Sequence, residues 1–401
     1  MAAEKTTMRV LWALSLSHFL NDVVQSLLPA IYPLLKSSYG LSFTQVGMIT
    51  LTYQITASLL QPVVGHYADR RPKPYALVVG MTFTLAGLIL LARAASFETI
   101  LVGAAVIGTG SSVFHPEASR MARMASGGRH GFAQAIFQVG GNLGTSFGPL
   151  LAAAFIIPHG QASLIWFSII ALIGISVLRR VGRWYRTRLD SASSRGGCHQ
   201  DSHLRLPLKQ VVAALAVLMV LIVSKYFYLV SLTNYYTFYL IHKFSLSVQS
   251  AQIALFVFLF AIAIGTVIGG PLGDRFGRKY VIWFSILGVA PFTLVLPHVG
   301  LAATIVLTVF IGVILASAFS AILVYAQELI PGRVGMIAGL FFGFAFGISG
   351  IASTALGKLA DLTSIEHVFF ICGFLPLLGL IAGLLPNPAK PEPKQRVVSS
   401  E

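Results

Sequence analysis

The sequence predicts an all-α membrane protein whose twelve transmembrane helices form two similar halves. Of its 401 residues, 56% are hydrophobic and only 10% are charged, whereas about 25% are charged in a typical soluble domain. Apolar stretches follow one another with short turns between them, and each has the length of about 20 residues that a bilayer-spanning helix needs. This composition excludes an ordinary soluble enzyme, and the stretches are too long for the alternating strands of a membrane barrel.

Twelve stretches between charges and Gly or Pro breaks have the length of a spanning helix. The first stretch lacks the small-residue cleavage site of a signal peptide, and it is longer than the apolar region of a signal peptide. We therefore expect it to be a spanning helix. The twelve stretches are residues 9–36, 42–67, 74–93, 97–122, 131–157, 161–182, 209–240, 247–271, 279–297, 301–327, 335–360 and 365–385.

The positive charges are distributed unevenly between the two sides of these spans. The chain has 28 Lys and Arg against 13 Asp and Glu, a net charge of +15. The positive-inside rule places Lys and Arg on the cytoplasmic side, so we expect cytoplasmic termini and no nucleic-acid partner. All but five of these cations lie at the chain ends or in even-numbered turns; the exceptions are Lys36, Arg93, Lys225, Lys243 and Lys358.

A polar segment divides the chain into two parts. We predict a six-helix bundle at residues 1–185, a cytoplasmic linker at 186–206, a second six-helix bundle at 207–388 and a tail at 389–401. The linker contains Cys198, His199 and His203, which are fewer than the four ligands of a structural zinc site. We therefore expect a solvated linker, free thiols at Cys198 and Cys372, and no metal or cofactor.

A short motif repeats after the second and eighth spans. Gly65-His-Tyr-Ala-Asp69-Arg70-Arg71 corresponds to Gly270-Pro-Leu-Gly-Asp274-Arg275-Phe-Gly277-Arg278-Lys279. An Asp at a helix end can pair with Arg and with a neighbouring helix N-terminus, although a plain cationic loop would have a similar composition. We interpret the motif as part of a conformational latch, to which Arg120 of the fourth span also belongs. The motif residues of the latch are Asp69, Arg70, Gly270, Asp274, Arg275, Gly277 and Arg278.

The second copy resembles the loop signature of the major facilitator superfamily, G-x-x-x-D-R-x-G-R-K, and the first copy is a degenerate version of it. Further motifs between Leu14 and Pro386 resemble the fosmidomycin-resistance transporters. The resemblance implies the major facilitator fold and a proton-driven exporter of fosmidomycin, a small phosphonate, in a bacterial inner membrane. The motifs are His18-Phe-Leu-Asn21-Asp22, Gln25-Ser-Leu-Leu-Pro29, Phe114-His115-Pro-Glu117, Gln138-Val-Gly-Gly-Asn142 and Ser224-Lys225-Tyr226-Phe-Tyr228.

Two ionisable residues occupy equivalent positions in the two halves. Asp22 lies near the middle of the first span and Lys225 near the middle of the seventh. Charges inside a membrane are expensive and usually functional, although the two residues could also form a structural ion pair between the halves. We predict a substrate site formed by Lys225 together with Asn21, Gln25, Gln138, Asn142, Tyr226 and Tyr228, and an interfacial belt at Tyr236 and Tyr239.

Asp22, His18, Glu117 and His115 are the predicted proton-coupling residues. His18 and Asp22 are four apart and therefore share a helix face, as do Glu117 and Arg120, which are three apart. Imidazole titrates near neutral pH. Each has a structural alternative: packing for the histidines, and an ion pair with Arg120 for Glu117.

Glycines in the fifth span, Gly140, Gly144 and Gly148, form a stripe that permits close helix contact. The stripe resembles a motif of proton-coupled antiporters, although ordinary packing would also explain it. We expect its counterpart in the eleventh span at Gly339, Gly343, Gly347 and Gly350.

The sequence favours a monomeric transporter whose partners are a small anionic drug, protons and the bilayer. An importer or exporter of another small organic anion or organophosphate remains an alternative, as does a sensor without transport activity. An intramembrane hydrolase fits poorly, because no nucleophile–base motif, metal pair or phosphate loop is present.

Overall fold

The computed structural model describes residues 6–71, 73–127, 130–192, 207–330 and 334–386. Within these ranges the chain is helical, without strands. The first half contains α1 Met8–Ala30, α2 Phe43–Arg70, α3 Ala76–Ala92, α4 Phe97–Ala125, α5 His130–Leu151 and α6 Ser168–Ala192. The second half contains α7 Leu208–Phe244, α8 Val248–Phe276, α9 Arg278–Leu287, α10 Leu301–Ala316, α11 Val334–Leu362 and α12 Ile365–Cys372.

Shorter helical pieces complete several spans, and most of the breaks lie beside Pro or Gly, which interrupt the regular hydrogen bonding. The predicted first span, for example, breaks at Ile31, between Pro29 and Pro33. The pieces are Tyr32–Tyr39 after α1, Ala152–Ile156 and Ile157–His159 after α5, Gln161–Phe167 before α6, Ala290–Val295 and Leu296–His298 after α9, Phe319–Leu329 after α10, and Leu375–Leu384 after α12.

These segments confirm the predicted all-helical membrane fold, with one segment for each of the twelve predicted spans. In the described residues, nine helices are long and apolar enough to cross a membrane, and Ala76–Ala92 is a shorter apolar helix. Helices α1 and α2 are long enough but are not among the nine, because polar side chains such as His18, Asp22 and Gln61 interrupt their apolar sequence.

The linker differs slightly from its predicted boundary. The sequence predicts a break from residue 186, whereas α6 continues to Ala192. Leu189 packs against the hydrophobic core, and this contact favours extension of the helix. Residues 193–206, including Cys198, His199 and His203, lie outside the described ranges, as does the predicted tail.

Two pairs of helices join the halves. α2 packs along α11, and α5 packs along α8. One hydrophobic cluster includes residues of both halves, from Leu11 and Phe114 to Phe258 and Phe369. A second cluster lies only in the second half, at its Lys/Arg-rich end. The halves therefore share a continuous core toward the opposite, cation-poor end.

The spacing between α2 and α11 shows the same asymmetry. A Cβ atom added to Gly357 would lie 2.4 Å from the Phe43 carbonyl oxygen, at the cation-poor end. One added to Gly339, toward the cation-rich end, would find its nearest neighbour, Pro62 Cα, 3.9 Å away. The two helices thus diverge toward the cation-rich end.

Candidate functional site

His18 and Asp22 form a buried pair on α1. The His18 Nε2 atom lies 3.3 Å from Asp22 Oδ2, and the side chains are 4% and 15% exposed. Asn21 Nδ2 donates to the other carboxylate oxygen, Oδ1, at 3.0 Å. The four-residue spacing that places both groups on one helix face is therefore confirmed as a direct contact.

The second nitrogen of His18 fixes where protons can lie in this pair. Nδ1 is 2.8 Å from the Phe137 carbonyl oxygen of α5. A carbonyl only accepts hydrogen bonds, so Nδ1 must carry a hydrogen. Nε2 then faces a carboxylate oxygen, and two bare acceptors would repel each other. A further proton on Nε2 or on Asp22 would make this contact a hydrogen bond.

His115 extends this group toward the second half. Its ring lies 5.2 Å from the His18 ring in an edge-on arrangement, and the residue is 7% exposed. On its other side it contacts Phe342 and Phe346 of α11, with ring centroids 6.4 Å and 5.6 Å away. His115 therefore contacts both the His18–Asp22 pair and the opposite half.

The ligand-type atoms of His18, Asp22 and His115 lie within 4.8 Å of one another. This spacing could accommodate a metal ion. However, His18 and Asp22 already contact each other directly, so the pair is held together without an ion.

The glycine stripe of α5 makes room for this group. Cβ atoms added to Gly140, Gly144 and Gly148 would lie 2.1–2.3 Å from atoms of Ser15, Phe19 and Ser26, all on α1. At Gly141 the added atom would meet the His18 ring at 2.4 Å. The stripe therefore packs two helices of one half. In α11, by contrast, Gly343 and Gly350 face Ser58 and Leu51 of α2, across the halves.

Glu117 and Arg120 form the ion pair that their spacing predicts. Glu117 Oε2 lies 3.3 Å from Arg120 Nη2, and the Glu117 side chain is 1% exposed. Arg120 also donates to the Tyr185 hydroxyl of α6. The pair thus ties α4 to α6 within the first half.

Lys225 is a buried cation on α7. The residue is 4% exposed, and its Nζ has no hydrogen-bond partner among the described residues. The Phe319 ring centroid lies 5.9 Å from Nζ. The ion pair between Lys225 and Asp22 that the sequence left open is not formed, because the described partner of Asp22 is His18. The cation is therefore available to an anion.

Aromatic rings connect the two charged groups. Phe319 lies 5.1 Å from Phe342 and 6.1 Å from Tyr226, centroid to centroid. Phe342 in turn faces His115. We call Phe319, Phe342 and Phe346 the aromatic bridge. Sequence reasoning did not find these three residues, because phenylalanine is common in every span and only the tertiary contacts distinguish them.

The predicted polar lining is only partly brought together. Asn21 is fully buried, and its amide oxygen faces the Thr84 hydroxyl of α3 at 3.5 Å. Gln25 accepts from the Tyr53 hydroxyl at 2.6 Å. Asn142 donates to Thr266 of α8 at 2.8 Å, so it joins the halves directly. Gln138 is partly exposed.

The tyrosines of α7 separate into two groups. Tyr226 packs beside Phe319, near Lys225. Tyr228 belongs to the core cluster that also contains Tyr236, Tyr239 and Cys372. The predicted interfacial belt is wrong: Tyr236 and Tyr239 are fully buried. Tyr239 stacks on Phe369 at 4.2 Å, because the side chains face α12 and the interior of the bundle.

The structure describes only part of the predicted latch at the cation-rich end. The backbone of the motif residues forms the ends of α2 and α8. The structure does not describe the side chains of Asp69, Arg70, Asp274 and Arg275, or the surroundings of Gly270. Gly277 separates α8 from α9 with a φ of +93°. A side chain is strained in that region, and this explains why the turn carries glycine.

At the cation-poor end, a carboxylate that sequence reasoning missed joins the halves. Asp361 of α11 accepts hydrogen bonds from the backbone N–H groups of Phe43 and Thr44, each at 2.8 Å, and from the Thr44 hydroxyl at 2.6 Å. These donors form the N-terminus of α2, where negative charge is stabilising. We call this contact the α2–Asp361 latch. A lone Asp ending an apolar span was its only sequence signal.

Polar side chains join the two halves further inside the cation-poor end. Asn234 of α7 donates to Thr50 of α2 at 2.9 Å and to Ser353 of α11 at 2.8 Å. The Tyr32 hydroxyl also contacts Thr50, at 2.6 Å. Three helices of both halves therefore meet in one buried hydrogen-bonded group.

The bundle of apolar helices and its buried charged groups define a multi-pass membrane transporter. The family model of the Major Facilitator Superfamily matches residues 14–247 and 213–400. The chain belongs to this superfamily, which confirms the fold and the non-enzymatic class that its motifs predict.

Two relatives cover almost the whole chain. The fosmidomycin resistance protein of Escherichia coli (strain K12) is 60% identical over 383 residues, which are 96% of this chain and 94% of that protein. This likeness confirms the resemblance found in the motifs. An uncharacterized MFS-type transporter of Bacillus subtilis (strain 168), YfnC, is 43% identical over 96% of this chain and 94% of its own length.

Among solved structures, the chain is similar to a bacterial homolog of the human lysosomal transporter Spinster in an inward-facing and occupied conformation. The TM-score is 0.70 at 15% identity, and the match covers 94% of each chain. At this identity the likeness concerns the fold alone.

Proposed function

We propose that this protein exports fosmidomycin in exchange for protons by alternating access and so confers resistance to the drug. The observation that carries the proposal is the buried Lys225, whose Nζ has no hydrogen-bond partner among the described residues. A phosphonate is an anion, and charge-assisted hydrogen bonds to it are strong in a low-dielectric site. The relative at 60% identity is named for resistance to this drug.

The aromatic bridge supports the same assignment. Its rings connect Lys225 with His115, and ligand sites commonly combine apolar walls with a few polar anchors. In our proposal Lys225 binds the phosphonate, and Tyr226, Gln138 and Asn142 complete the walls. Gln25, Asn21 and Tyr228 hold the neighbouring helices in position.

We assign proton coupling to the His18–Asp22 pair, with His115 beside it. The pair holds one exchangeable proton, and its contact through His115 with Phe342 of α11 links that proton to the relative position of the halves. Glu117 is the second carboxylate of the proposal, held by Arg120. A proton that moves inward through 100 mV supplies about 2.3 kcal/mol to drive export.

The proposed cycle alternates between two latches. The α2–Asp361 latch closes the cation-poor end, and the motif residues around Asp69 and Asp274 close the cation-rich end in the other state. We place the cation-rich end, both termini and the linker in the cytoplasm of a bacterial inner membrane, with the protein acting as a monomer of two six-helix bundles at residues 1–185 and 207–388.

The test is drug susceptibility of a sensitive host that expresses the chain. We expect protection by the intact protein and loss of protection in Lys225→Ala and Asp22→Asn at equal membrane abundance. Lys209→Ala is the matched control, because Lys209 lies on the same helix but is exposed. A well-expressed intact protein that gives no protection would overturn fosmidomycin as the cargo.

A second measurement tests coupling. Sealed inside-out vesicles that contain the protein should release protons from their acidic lumen when the drug is added. Drug binding without proton flux would remove the antiport step. Drug uptake into cells rather than exclusion would favour the importer alternative, for which the same cation is suited.

A further inference from the structure

A groove opens between α3 and α6 at the cation-rich end of the first half. Its volume is about 330 Å³, and it is lined by Tyr75, Val78, Arg179 and Arg183. Arg179 and Arg183 are four apart on α6 and therefore lie on one face of the helix. The groove is remote from the Lys225 site in sequence and belongs to a single half.

Close packing of the two helices fixes the shape of this groove. A Cβ atom added to Gly182 would lie 2.7 Å from both the Pro74 carbonyl oxygen and the Tyr75 ring. At Gly174 it would lie 2.3 Å from Met81. The start of α3 is therefore held against α6, with Tyr75 on one wall and the two arginines on the other.

The guanidinium groups of Arg179 and Arg183 have no ion pair or hydrogen bond within the described parts of the chain. Five carboxylates have described side chains, and one of them, Glu98, is exposed in the first turn of α4, while the other four are engaged elsewhere. Asp22 pairs with His18, Glu117 with Arg120 and Glu366 with His242, and Asp361 binds the N-terminus of α2. Two adjacent cations therefore lie at the groove without a described counter-charge.

The same two helices present apolar side chains to the surroundings beside the groove. Ile169, Leu172 and Ile173 of α6 are 62%, 52% and 48% exposed, and Val79 and Phe83 of α3 are 51% and 41% exposed. In a multi-pass membrane protein such residues face lipid acyl chains. The arginines thus lie where an apolar, lipid-facing surface ends, at the level of the headgroups.

We propose that this groove is a binding site for an anionic phospholipid. Arg179 and Arg183 donate to the phosphate oxygens of its headgroup, and Tyr75 closes the site. The acyl chains lie along the exposed apolar residues of α3 and α6. Arginine matches phosphate geometry through paired N–H donors, and basic pockets between helices on the cytoplasmic side suit such headgroups.

The experiment measures lipid retention on the purified full-length protein by native mass spectrometry, with phosphatidylglycerol or phosphatidylcholine supplied in detergent. We expect phosphatidylglycerol to remain bound and the Arg179→Gln/Arg183→Gln variant to retain it about tenfold less. The matched control is Arg180→Gln/Arg186→Gln, which removes the same charge from exposed positions of the same helix.

The outcomes distinguish a specific lipid-binding site from a general effect of positive charge. Equal loss in both double variants, or equal retention of phosphatidylcholine, would overturn the proposal. Inorganic phosphate that displaces the lipid at millimolar concentration would indicate a free-phosphate site and also overturn it. An unchanged melting temperature in lipid-free detergent shows that each variant is folded.

Discussion

Lys225 is the described residue whose surroundings most clearly disfavour its charge. Its cation is buried, and no described side chain pairs with it. A buried charge without a partner destabilises a fold. The residue is therefore expected to reduce stability until an anion binds.

Lys225→Met should raise the melting temperature and abolish drug protection. Removing the unpaired charge should stabilise the protein by about 1–3 kcal/mol, while the loss of the cation removes the anchor for the drug. Thermal unfolding in detergent and drug susceptibility measure the two effects.

Lys243→Met provides the contrast. Its Nζ donates to the Pro297 carbonyl at 2.7 Å and to the Tyr239 hydroxyl, so its removal leaves acceptors without partners and should lower the melting temperature. A lower melting temperature for Lys225→Met would show that its cation is stabilised by its surroundings.

Gly141→Ala should uncouple proton movement by displacing a single ring. The added Cβ would lie 2.4 Å from His18 Nε2 and 2.9 Å from Asp22 Oδ2, so the pair must separate. Overpacking of this kind destabilises by about 1–3 kcal/mol. Drug-induced proton flux in vesicles should fall more than the amount of folded protein. Gly300→Ala is the control, since no atom lies within 4 Å of its Cβ position, and equal fluxes in both variants would refute the role of the pair.

At the scale of elements, two helices with similar glycine stripes make different contacts. The glycines of α5 hold α1 inside one half, whereas those of α11 face α2 across the halves. In the proposed cycle the first contact persists throughout. The second contact opens and closes in that cycle, and the α2–Asp361 latch lies at its tightest end.

Asp361→Ala should loosen the closed, cation-poor end. The substitution removes a carboxylate that binds three donors at the N-terminus of α2, and such capping and dipole interactions are worth about 1–2 kcal/mol together. We expect a cysteine at position 51, introduced in a Cys198→Ser background, to react about tenfold faster with an impermeant maleimide added from the cation-poor side.

Glu366→Gln is the matched control for that latch. Glu366 is an acidic residue near the same end, but its partner His242 belongs to the same half. The control should leave labelling unchanged. Equal acceleration in both variants would mean that charge at this end, rather than the contact between halves, sets the accessibility.

At the scale of the whole molecule, the two halves share one core at one end and have separate clusters at the other. α2–α11 and α5–α8 supply the contacts between them. The polypeptide connection between α6 and α7 should therefore contribute little to their association.

A protease site inserted after Arg195 should test both the topology and this association. Cleavage should occur in inside-out vesicles and not in intact spheroplasts, because we place the linker in the cytoplasm. The two fragments should then copurify in mild detergent. Cleavage from the outside would reverse the proposed topology, and separation of the fragments would show that the linker holds the halves together.

The sequence alone determined the class of fold and which charged residues lie within the spans. Apolar length and charge placement suffice for that, since each span must be helical to satisfy its backbone in a bilayer. Spacing also determined the His18–Asp22 and Glu117–Arg120 contacts, because residues three or four apart share a helix face.

Only the tertiary structure decided what these residues face. It left Lys225 without a hydrogen-bond partner among the described residues, and it placed Tyr236 and Tyr239 in the interior. It also showed that one glycine stripe packs within a half and the other between the halves. It also revealed the aromatic bridge and the α2–Asp361 latch. Helix rotation and crossing set such contacts, and hydrophobic sequences that fit a membrane in every orientation carry little information about either.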